Sequence, residues 1–240
     1  MAVHDVRLTR RETVAEGTMA FYFSKPAAFR QQAGQSLLMT LIDPPETDSE
    51  GDARTFTIAS APHEPELMIA TRMRDSAFKR ALKAAPIGTP VRIDGPSGQM
   101  VLHDDATRPA VFLAGGIGIT PFLAMARHAA NQRLPHSLYL FYSNRRPEDA
   151  AFLAELQDME QRNPKYRLIA TMAEPEKSAQ RWAGETGFIR REMLEHHLPD
   201  ISSPMYYFAG PPQMTMAMQK ILEEIGISEA AMRYEEFYGY

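Results

Sequence analysis

Hydrophobic and polar positions follow two different patterns along this chain of 240 residues. Over residues 3–102, short apolar or alternating runs are separated by glycine, proline and acidic turns, which is typical of β-strands. The predicted strands are 18–23, 35–42, 54–60, 67–73 and 90–93. One helix is predicted over Ser76–Ala85, with Ser76 as its cap. Several short strands with a single helix predict a small all-β antiparallel barrel.

After Arg108 and Pro109, apolar runs alternate with helical segments. The predicted strands are 110–114, 138–142, 168–171, 206–209 and 232–237. The predicted helices are 121–131, 147–161, 189–196 and 211–225. This alternation predicts βαβ units, and therefore a parallel sheet with helices on both faces. The sequence thus predicts two domains, a β-barrel over residues 1–104 and an α/β domain over residues 105–240.

The composition narrows the possible chemistry. Apolar residues make up 44% of the chain and charged residues 23%, which is ordinary for a globular protein. The 26 Lys and Arg against 30 Asp and Glu give a net charge of −4, so no general attraction to nucleic acid is expected. Because the chain has no cysteine, disulfides, thiolate nucleophiles and cysteine-bound iron–sulfur clusters are excluded. Redox chemistry would therefore need a bound organic cofactor.

The sequence gives no sign of a targeting signal or a membrane span. Residues 1–10 are polar and basic, without the apolar centre of a signal peptide. The most apolar stretch, 110–126, is interrupted by three glycines, Thr120 and Pro121, and falls short of the ~20 residues that span a bilayer. A cytoplasmic location is expected.

A glycine-rich turn follows the apolar run 111–114. Gly115, Gly116 and Gly118 come next, and a helix is predicted to begin at Pro121. Glycines let backbone N–H groups approach a pyrophosphate, and a helix start adds unpaired donors and partial positive charge. The spacing fits neither the dinucleotide G-x-G-x-x-G pattern nor the P-loop. On these residues alone, an anion site and an ordinary turn of an α/β fold both remain open.

A second candidate site lies within a predicted barrel strand. Alternation puts Arg54 and Phe56 on one face and Thr55 and Thr57 on the other. An arginine beside an aromatic ring suits a ligand that combines phosphate with a planar heterocycle. The alternative is a sheet edge that carries one solvated arginine.

Five motifs, taken in order, resemble the ferredoxin–NADP reductase-like family of flavin oxidoreductases. The motifs are Arg54–Thr57, Gly95–Gly98, Gly115–Pro121, Ala209–Met214 and Glu235–Tyr240. The resemblance covers essentially the whole chain. It implies a flavin-binding antiparallel barrel followed by a Rossmann-like nucleotide domain, with the flavin in the cleft between them.

The resemblance also implies roles in flavin binding. Arg54 would face the flavin phosphates, Phe56 would pack on the flavin, and Thr57 would hydrogen-bond the isoalloxazine edge. A second flavin segment would include Arg72 and Ser76, although Ser76 is equally well explained as an ordinary helix cap. At the C-terminus, Phe237 or Tyr240 would cover the flavin where nicotinamide docks, unless these aromatics only pack between the domains. The residues that the resemblance assigns to the catalytic centre are Thr57, Glu235 and Phe237.

The nicotinamide dinucleotide would bind at the second domain. The resemblance places it against Gly115, Gly116, Gly118 and Thr120, with Gly210 and Pro211 at the next strand end. Ser143, Arg145 and Arg146 could grip a 2′-phosphate, which favours NADPH over NADH. The alternative for the two arginines is a solvated turn that opens a helix.

The function implied is hydride transfer from NADPH to bound FAD and onward electron transfer to a carrier protein such as ferredoxin or flavodoxin. FMN and NADH remain possible as cofactors. A docking patch for an acidic carrier is predicted from Arg72, Arg74, Lys79, Arg80 and Lys83. The alternatives are a flavin reductase, a reductase component feeding an oxygenase, or a regulatory flavin- or nucleotide-binding subunit without turnover. No metal site is predicted, because His196 and His197 lack a nearby cysteine or carboxylate cluster in the sequence.

Overall fold

The computed structural model describes residues 2–238. Its first half forms a six-stranded sheet in the order β4-β3-β6-β1-β2-β5, and every pairing in it is antiparallel. The strands are β1 Ala2–Ala15, β2 Thr18–Ser24, β3 Ser36–Leu41, β4 Ala53–Thr57, β5 Glu66–Arg72 and β6 Pro90–Ser97. The single helix of this half, α1, is Ala77–Ala84, and the side chain of Ser76 caps it.

The first sheet curls until its two edges meet. Just beyond β4, the amide of Ala59 donates to the carbonyl of Met68 on β5 at 2.7 Å, which brings the outermost strands together. The buried face contains aliphatic and aromatic side chains such as Leu8, Phe21 and Ile69. The predicted antiparallel barrel is therefore confirmed.

Strand β1 of the barrel was not predicted from the sequence. β1 spans 14 residues and pairs with both β2 and β6, whereas its first part was interpreted only as a polar terminus. Val6 and Leu8 point into the core while Arg7 between them is exposed. Because most outward positions carry charged side chains, the strand has little hydrophobic signal.

The second half forms a parallel six-stranded sheet in the order β10-β9-β8-β7-β11-β12. The strands are β7 Ala110–Gly115, β8 Leu138–Asn144, β9 Tyr166–Met172, β10 Glu185–Thr186, β11 Met205–Gly210 and β12 Met232–Glu236. The helices are α2 Thr120–Gln132, α3 Leu153–Arg162, α4 Arg191–His197 and α5 Pro212–Glu224. The predicted fold class, a barrel followed by a parallel α/β sheet, is confirmed. The exact domain boundary at 104/105 stays a prediction.

Two features of the second half differ from the sequence prediction. The helix expected over 147–161 is broken into a 3₁₀ turn, Pro147–Asp149, and α3. The break lies at Phe152, whose φ of 61° is left-handed and cannot continue an α-helix. The two-residue strand β10 was not predicted, because two residues carry no readable periodicity.

The hydrophobic core runs continuously from the barrel into the parallel sheet. Met68 and Ala70 of β5 and Met100 after β6 belong to the same buried cluster as the strands of the second sheet. This packing fixes the barrel against the sheet edge where the glycine-rich turn lies. Among the residues described, no helix combines the length and the apolar character that a membrane crossing requires.

Candidate functional site

Two adjoining cavities lie where the barrel meets the parallel sheet. The barrel cavity has a volume of about 630 Å³ and is lined by β4, β5, the start of α1 and the C-terminal segment 235–238. The sheet cavity has a volume of about 500 Å³ and is lined by the loops that follow β7, β8, β9 and β11. Arg72 and Arg74 line both cavities, so the two are neighbours.

All five described residues predicted to bind the flavin line the barrel cavity. These residues are Arg54, Phe56, Thr57, Arg72 and Ser76. The catalytic candidates Glu235 and Phe237 line the same cavity. Tyr240, the sixth residue predicted to bind the flavin, lies outside the described residues.

Arg54 and Phe56 share a neighbour on α1. The guanidinium carbon of Arg54 lies 5.3 Å from the centre of the Phe78 ring, and the Phe56 ring lies 5.7 Å from it. The shared contact agrees with the predicted common face of these two side chains. A cation next to two aromatic rings is the arrangement that a phosphate-bearing heterocycle needs.

The guanidinium of Arg54 already holds oxygen atoms of the acidic loop 44–53. It donates to the backbone carbonyls of Glu50, Gly51 and Ala53. It also pairs with the Asp48 carboxylate at 3.3 Å and the Glu50 carboxylate at 2.9 Å. These contacts hold the loop against the cavity wall.

The same Asp48 carboxylate reaches the N-terminus of α1. Its other oxygen accepts from the amide of Ala77 at 3.0 Å, and the Ser76 hydroxyl accepts from the amide of Lys79. Desolvation opposes the charged form of Asp48, but hydrogen bonds from the Ala77 and Glu50 amides and the Arg54 pair outweigh it and lower the pKa of Asp48. The Asp48 carboxylate thus lies between the Arg54 guanidinium and the N-terminus of α1. A phosphate group at this position would find the same hydrogen-bond donors.

Glu235 is a carboxyl group at the inner end of the barrel cavity. Burial raises its pKa from 4.5 to about 7, because removal from water disfavours the charged form. A Cβ atom on Gly98 would lie 3.7 Å from its Oε1 atom, so the Gly95–Gly98 turn packs close to this carboxyl. The mostly buried hydroxyl-bearing residues Thr57 and Thr120 line the same cavity. A carboxyl with this pKa can hold or release a proton near neutral pH.

The C-terminal segment closes this side of the cavity. The Phe237 amide donates to the carbonyl of Gly210 at 2.9 Å, which ties the segment to the end of β11. Tyr238 also lines the cavity, and its hydroxyl donates to the Glu236 carboxylate.

The glycines of the second domain have different surroundings. Gly115 and Gly116 line the sheet cavity, and Gly116 has a left-handed φ of 54°. Gly118 is buried against β11, where a Cβ atom would lie less than 3.0 Å from the Ala209 carbonyl. Gly210 packs against Gly115, while Pro211 reaches the cavity. Thr120 lines the barrel cavity and donates to the Ile117 carbonyl.

The two arginines predicted to grip a 2′-phosphate are held by a buried carboxylate. Asp149 pairs with Arg146 at 3.0 Å, Arg145 at 3.5 Å and Arg72 at 3.7 Å. Arg146 also pairs with Glu16 of the barrel and does not line the sheet cavity, whereas Ser143 and Arg145 do. Arg72 and Asp149 thereby link the barrel to the second domain across the two cavities.

Among the sheet-cavity residues that sequence reasoning missed, besides Asp149, are Phe188 and Asn144. Phe188, at its rim, is 75% exposed and follows Gly187, whose φ is 84°. Asn144 ends β8, and neither polar atom of its buried amide has a hydrogen-bond partner within residues 2–238. The available sequence signals were an aromatic after a glycine turn and a polar residue at a strand end.

Comparisons with known proteins agree with this geometry. The family described as "Oxidoreductase NAD-binding domain" matches residues 112–220. The glycine betaine monooxygenase reductase subunit of Chromohalobacter salexigens is 28% identical over 239 residues, which are 98% of this chain and 64% of that protein. The toluate 1,2-dioxygenase electron transfer component of Pseudomonas putida is 32% identical over 68% of this chain and 46% of its own length. The chain thus spans less than two thirds of the length of these relatives.

Solved structures share the fold over nearly the whole chain. A ferredoxin NADP⁺ reductase from Neisseria gonorrhoeae with bound FAD and NADP has a TM-score of 0.82 at 18% identity, with 98% of this chain and 99% of that chain covered. The chain shares with this structure an antiparallel barrel followed by a parallel α/β sheet. Residues 112–220 belong to the oxidoreductase NAD-binding domain family, and the whole chain has the fold of ferredoxin–NADP reductase-like flavin oxidoreductases.

Proposed function

We propose that this protein is a flavin-dependent NAD(P)H oxidoreductase that passes electrons to a separate protein. FAD would bind in the barrel cavity and the dinucleotide in the sheet cavity. The observation that carries the proposal is that the two cavities adjoin at Arg72 and Arg74, with anion-holding groups and aromatic rings in the first of them. The Neisseria gonorrhoeae structure, which holds FAD and NADP, supports the same pairing of ligands.

The residues of the barrel cavity fit a flavin nucleotide. Asp48 shows that Arg54 and the α1 N-terminus together hold an anion, so a flavin phosphate would meet suitable donors. Phe56 supplies an aromatic wall, and Thr57 a hydroxyl for a polar ring edge. FAD is preferred over FMN by the resemblance, and a direct binding comparison distinguishes them.

The sheet cavity fits a dinucleotide. Gly115 and Gly116 expose backbone at the carboxyl end of β7, which is where parallel sheets bind nucleotides. Asn144 offers an unpaired amide, and Phe188 offers a ring for the adenine. Arg145 favours NADPH, because its positive charge would attract the 2′-phosphate. The Asp149 carboxylate, 3.5 Å from Arg145, offsets part of that positive charge. Both dinucleotides therefore belong in the test.

The chain's own side chains would position the reactants and manage a proton. Bound flavin would accept hydride from nicotinamide and release electrons singly. Phe237 would restrict access to the cavity, and Thr57 would orient the ring that binds there. Glu235 would hold a proton near neutral pH beside the reacting groups, because its pKa is about 7.

The electron acceptor would be a carrier of the ferredoxin or flavodoxin type, or an oxygenase component. The relatives named as a monooxygenase reductase subunit and a dioxygenase electron transfer component support this. Within the predicted docking patch, Arg72 and Arg80 are engaged by carboxylates, which leaves Arg74, Lys79 and Lys83 as the stronger candidates. A cytoplasmic location remains a prediction.

The deciding experiment is an anaerobic visible spectrum of the purified protein with FAD, before and after addition of NADPH or NADH. Flavin bands that bleach on addition support the reductase. Flavin that binds but is not reduced indicates a regulatory subunit. Turnover that depends on added free flavin points to a flavin reductase, and a protein that takes up neither FAD nor FMN refutes the proposal.

Asp48→Asn is expected to bind FAD about tenfold more tightly than the unmodified protein, which corresponds to ~1.4 kcal/mol. The carboxylate occupies the donors that a phosphate would use and repels it, whereas a neutral amide competes less. Flavin fluorescence titration measures the affinity. Asp52→Asn, on the same loop, removes the same charge without that contact and should change affinity less. Weaker binding by Asp48→Asn would show that Asp48 supports the cofactor.

Phe188→Ala is expected to weaken dinucleotide binding roughly tenfold, because stacking of a base on an aromatic side chain contributes about 1–3 kcal/mol. The side chain is exposed at the rim of the sheet cavity, so its removal should leave the fold intact. Titration with NAD⁺ and NADP⁺ measures the effect. Phe188→Tyr keeps a ring and should bind like the unmodified protein. Equal affinity of the alanine variant would exclude stacking at this position.

A further inference from the structure

A cluster of three metal-binding side chains lies away from both cavities. Glu185 in the edge strand β10 and His196 and His197 at the end of α4 have ligand atoms within 4.8 Å of one another. His197 Nε2 and Glu185 Oε1 are 2.7 Å apart, and the two imidazole rings meet edge to face at 4.7 Å. Neither the proposed electron transfer nor the core packing calls for this combination.

The fold holds two of these side chains in place. The carbonyl of Glu185 accepts from the Trp182 indole N–H at 2.7 Å, and β10 pairs with β9 at Thr171. The His197 ring packs edge-on against Phe141 at 6.1 Å. Both side chains are partly buried, at 34% and 28% exposure, so their positions are more restricted than those of free surface residues.

The donor set points to a particular class of ion. Two imidazoles and a carboxylate suit Zn²⁺ and its divalent transition-metal neighbours, whereas Mg²⁺ and Ca²⁺ prefer oxygen ligands alone. Tetrahedral Zn²⁺ has Zn–N distances of about 2.0 Å, so its ligand atoms lie roughly 3.3 Å apart. The distance between His197 Nε2 and Glu185 Oε1, 2.7 Å, is below this value, and all three ligand atoms lie within 4.8 Å of one another. Rotation of the exposed His196 side chain brings its nitrogen to the required distance.

A cavity next to the cluster provides an open coordination position. Glu185 and His197 line a depression of about 610 Å³, which shares no lining residue with the barrel or sheet cavity. Three protein ligands leave a fourth tetrahedral position for water or an anion from this side. Arg167 lines the same depression and favours an anion there.

We propose that Glu185, His196 and His197 form a site for a divalent transition-metal ion of the Zn²⁺ class. The ion takes the place of the hydrogen shared by His197 and Glu185. It joins the edge of the parallel sheet to α4. The sequence indicated no such site because the carboxylate comes from a strand too short to predict.

The test uses the full chain without a histidine tag. Calorimetry with ZnCl₂ is expected to give one equivalent of bound Zn²⁺, and Co²⁺ should give the visible absorption of a tetrahedral complex. His196→Ala removes an exposed ligand with little risk to folding and should weaken binding more than ~10-fold. His197→Ala and Glu185→Gln should do the same.

His63→Ala is the matched control, because it removes an exposed histidine from the barrel half of the chain. It should leave binding unchanged. The proposal is overturned if the protein binds no Zn²⁺, if His196→Ala and His197→Ala bind like the unmodified chain, or if His63→Ala weakens binding equally. Because Zn²⁺ binding is measured directly, the outcome does not depend on flavin or on reductase activity.

Discussion

Gly118→Ala is expected to lower the free energy of unfolding by about 3 kcal/mol, at the upper end of the cost of overpacking a buried site. A Cβ atom at this position would meet the Ala209 carbonyl and the Gly210 amide within 3.0 Å. These are backbone atoms of β11, so no side chain can move aside. For a domain of this size, the melting temperature should fall by roughly 10 °C.

Gly17→Ala is the control for that experiment. Gly17 has a left-handed φ of 65°, but nothing lies within 4 Å of its missing Cβ. Alanine there costs only the backbone preference, about 1 kcal/mol. If both variants melt at similar temperatures, close packing of the glycine turn on β11 is not what requires glycine at 118.

Glu235→Gln is expected to stabilise the protein at pH 8.5 but not at pH 4. The folded state raises the pKa of this carboxyl from 4.5 to about 7, so it binds more protons than the unfolded chain between these values. Stability is therefore lost as the pH rises through this window, and the loss is nearly complete about one pH unit above the folded-state pKa. The shift corresponds to at most ~3 kcal/mol, and partial contact with water reduces the expected gain to about 2 kcal/mol.

Urea unfolding at several pH values measures this effect. Glu229→Gln, which replaces an exposed carboxylate in the same half of the chain, is the control and should not reproduce the gain in stability at pH 8.5. A constant difference between Glu235→Gln and the unmodified protein from pH 4 to 8.5 would mean that Glu235 does not titrate within this window.

The sequence was sufficient for the parts of the fold that carry strong local signals. Strands such as β7 and β11 are continuous apolar runs, and the Ser76 cap is visible from residue type alone. β1 was harder to recognise, because its exposed face is charged and its length depends on pairing with two neighbours. The helix break at Phe152 depends on a left-handed backbone conformation, which an aromatic residue rarely adopts and which its residue type therefore does not predict.

The candidate site, like the fold, could be predicted only where local sequence motifs identify the residues. Arg54, Thr57 and Glu235, which the motifs identify, line the same cavity. The carboxylates at these cavities could not be predicted, because Asp48 also accepts from the distant Ala77 amide and Asp149 pairs with Arg72 of the barrel. A local motif identifies which groups can bind a phosphate, whereas the three-dimensional structure decides which carboxylates compete for them.

The position of β12 has a consequence for protein synthesis. The barrel cavity combines walls from Ser36 and β4 with Glu235 and Phe237 near the end of the chain. The barrel strands precede β12 in the sequence, so they leave the ribosome before it. The Glu235 carboxyl group and the Phe237 ring reach the cavity only after β12 has paired with β11. A nascent chain stalled before this point would present an open barrel, so full retention of a cofactor would require β12 to be in place.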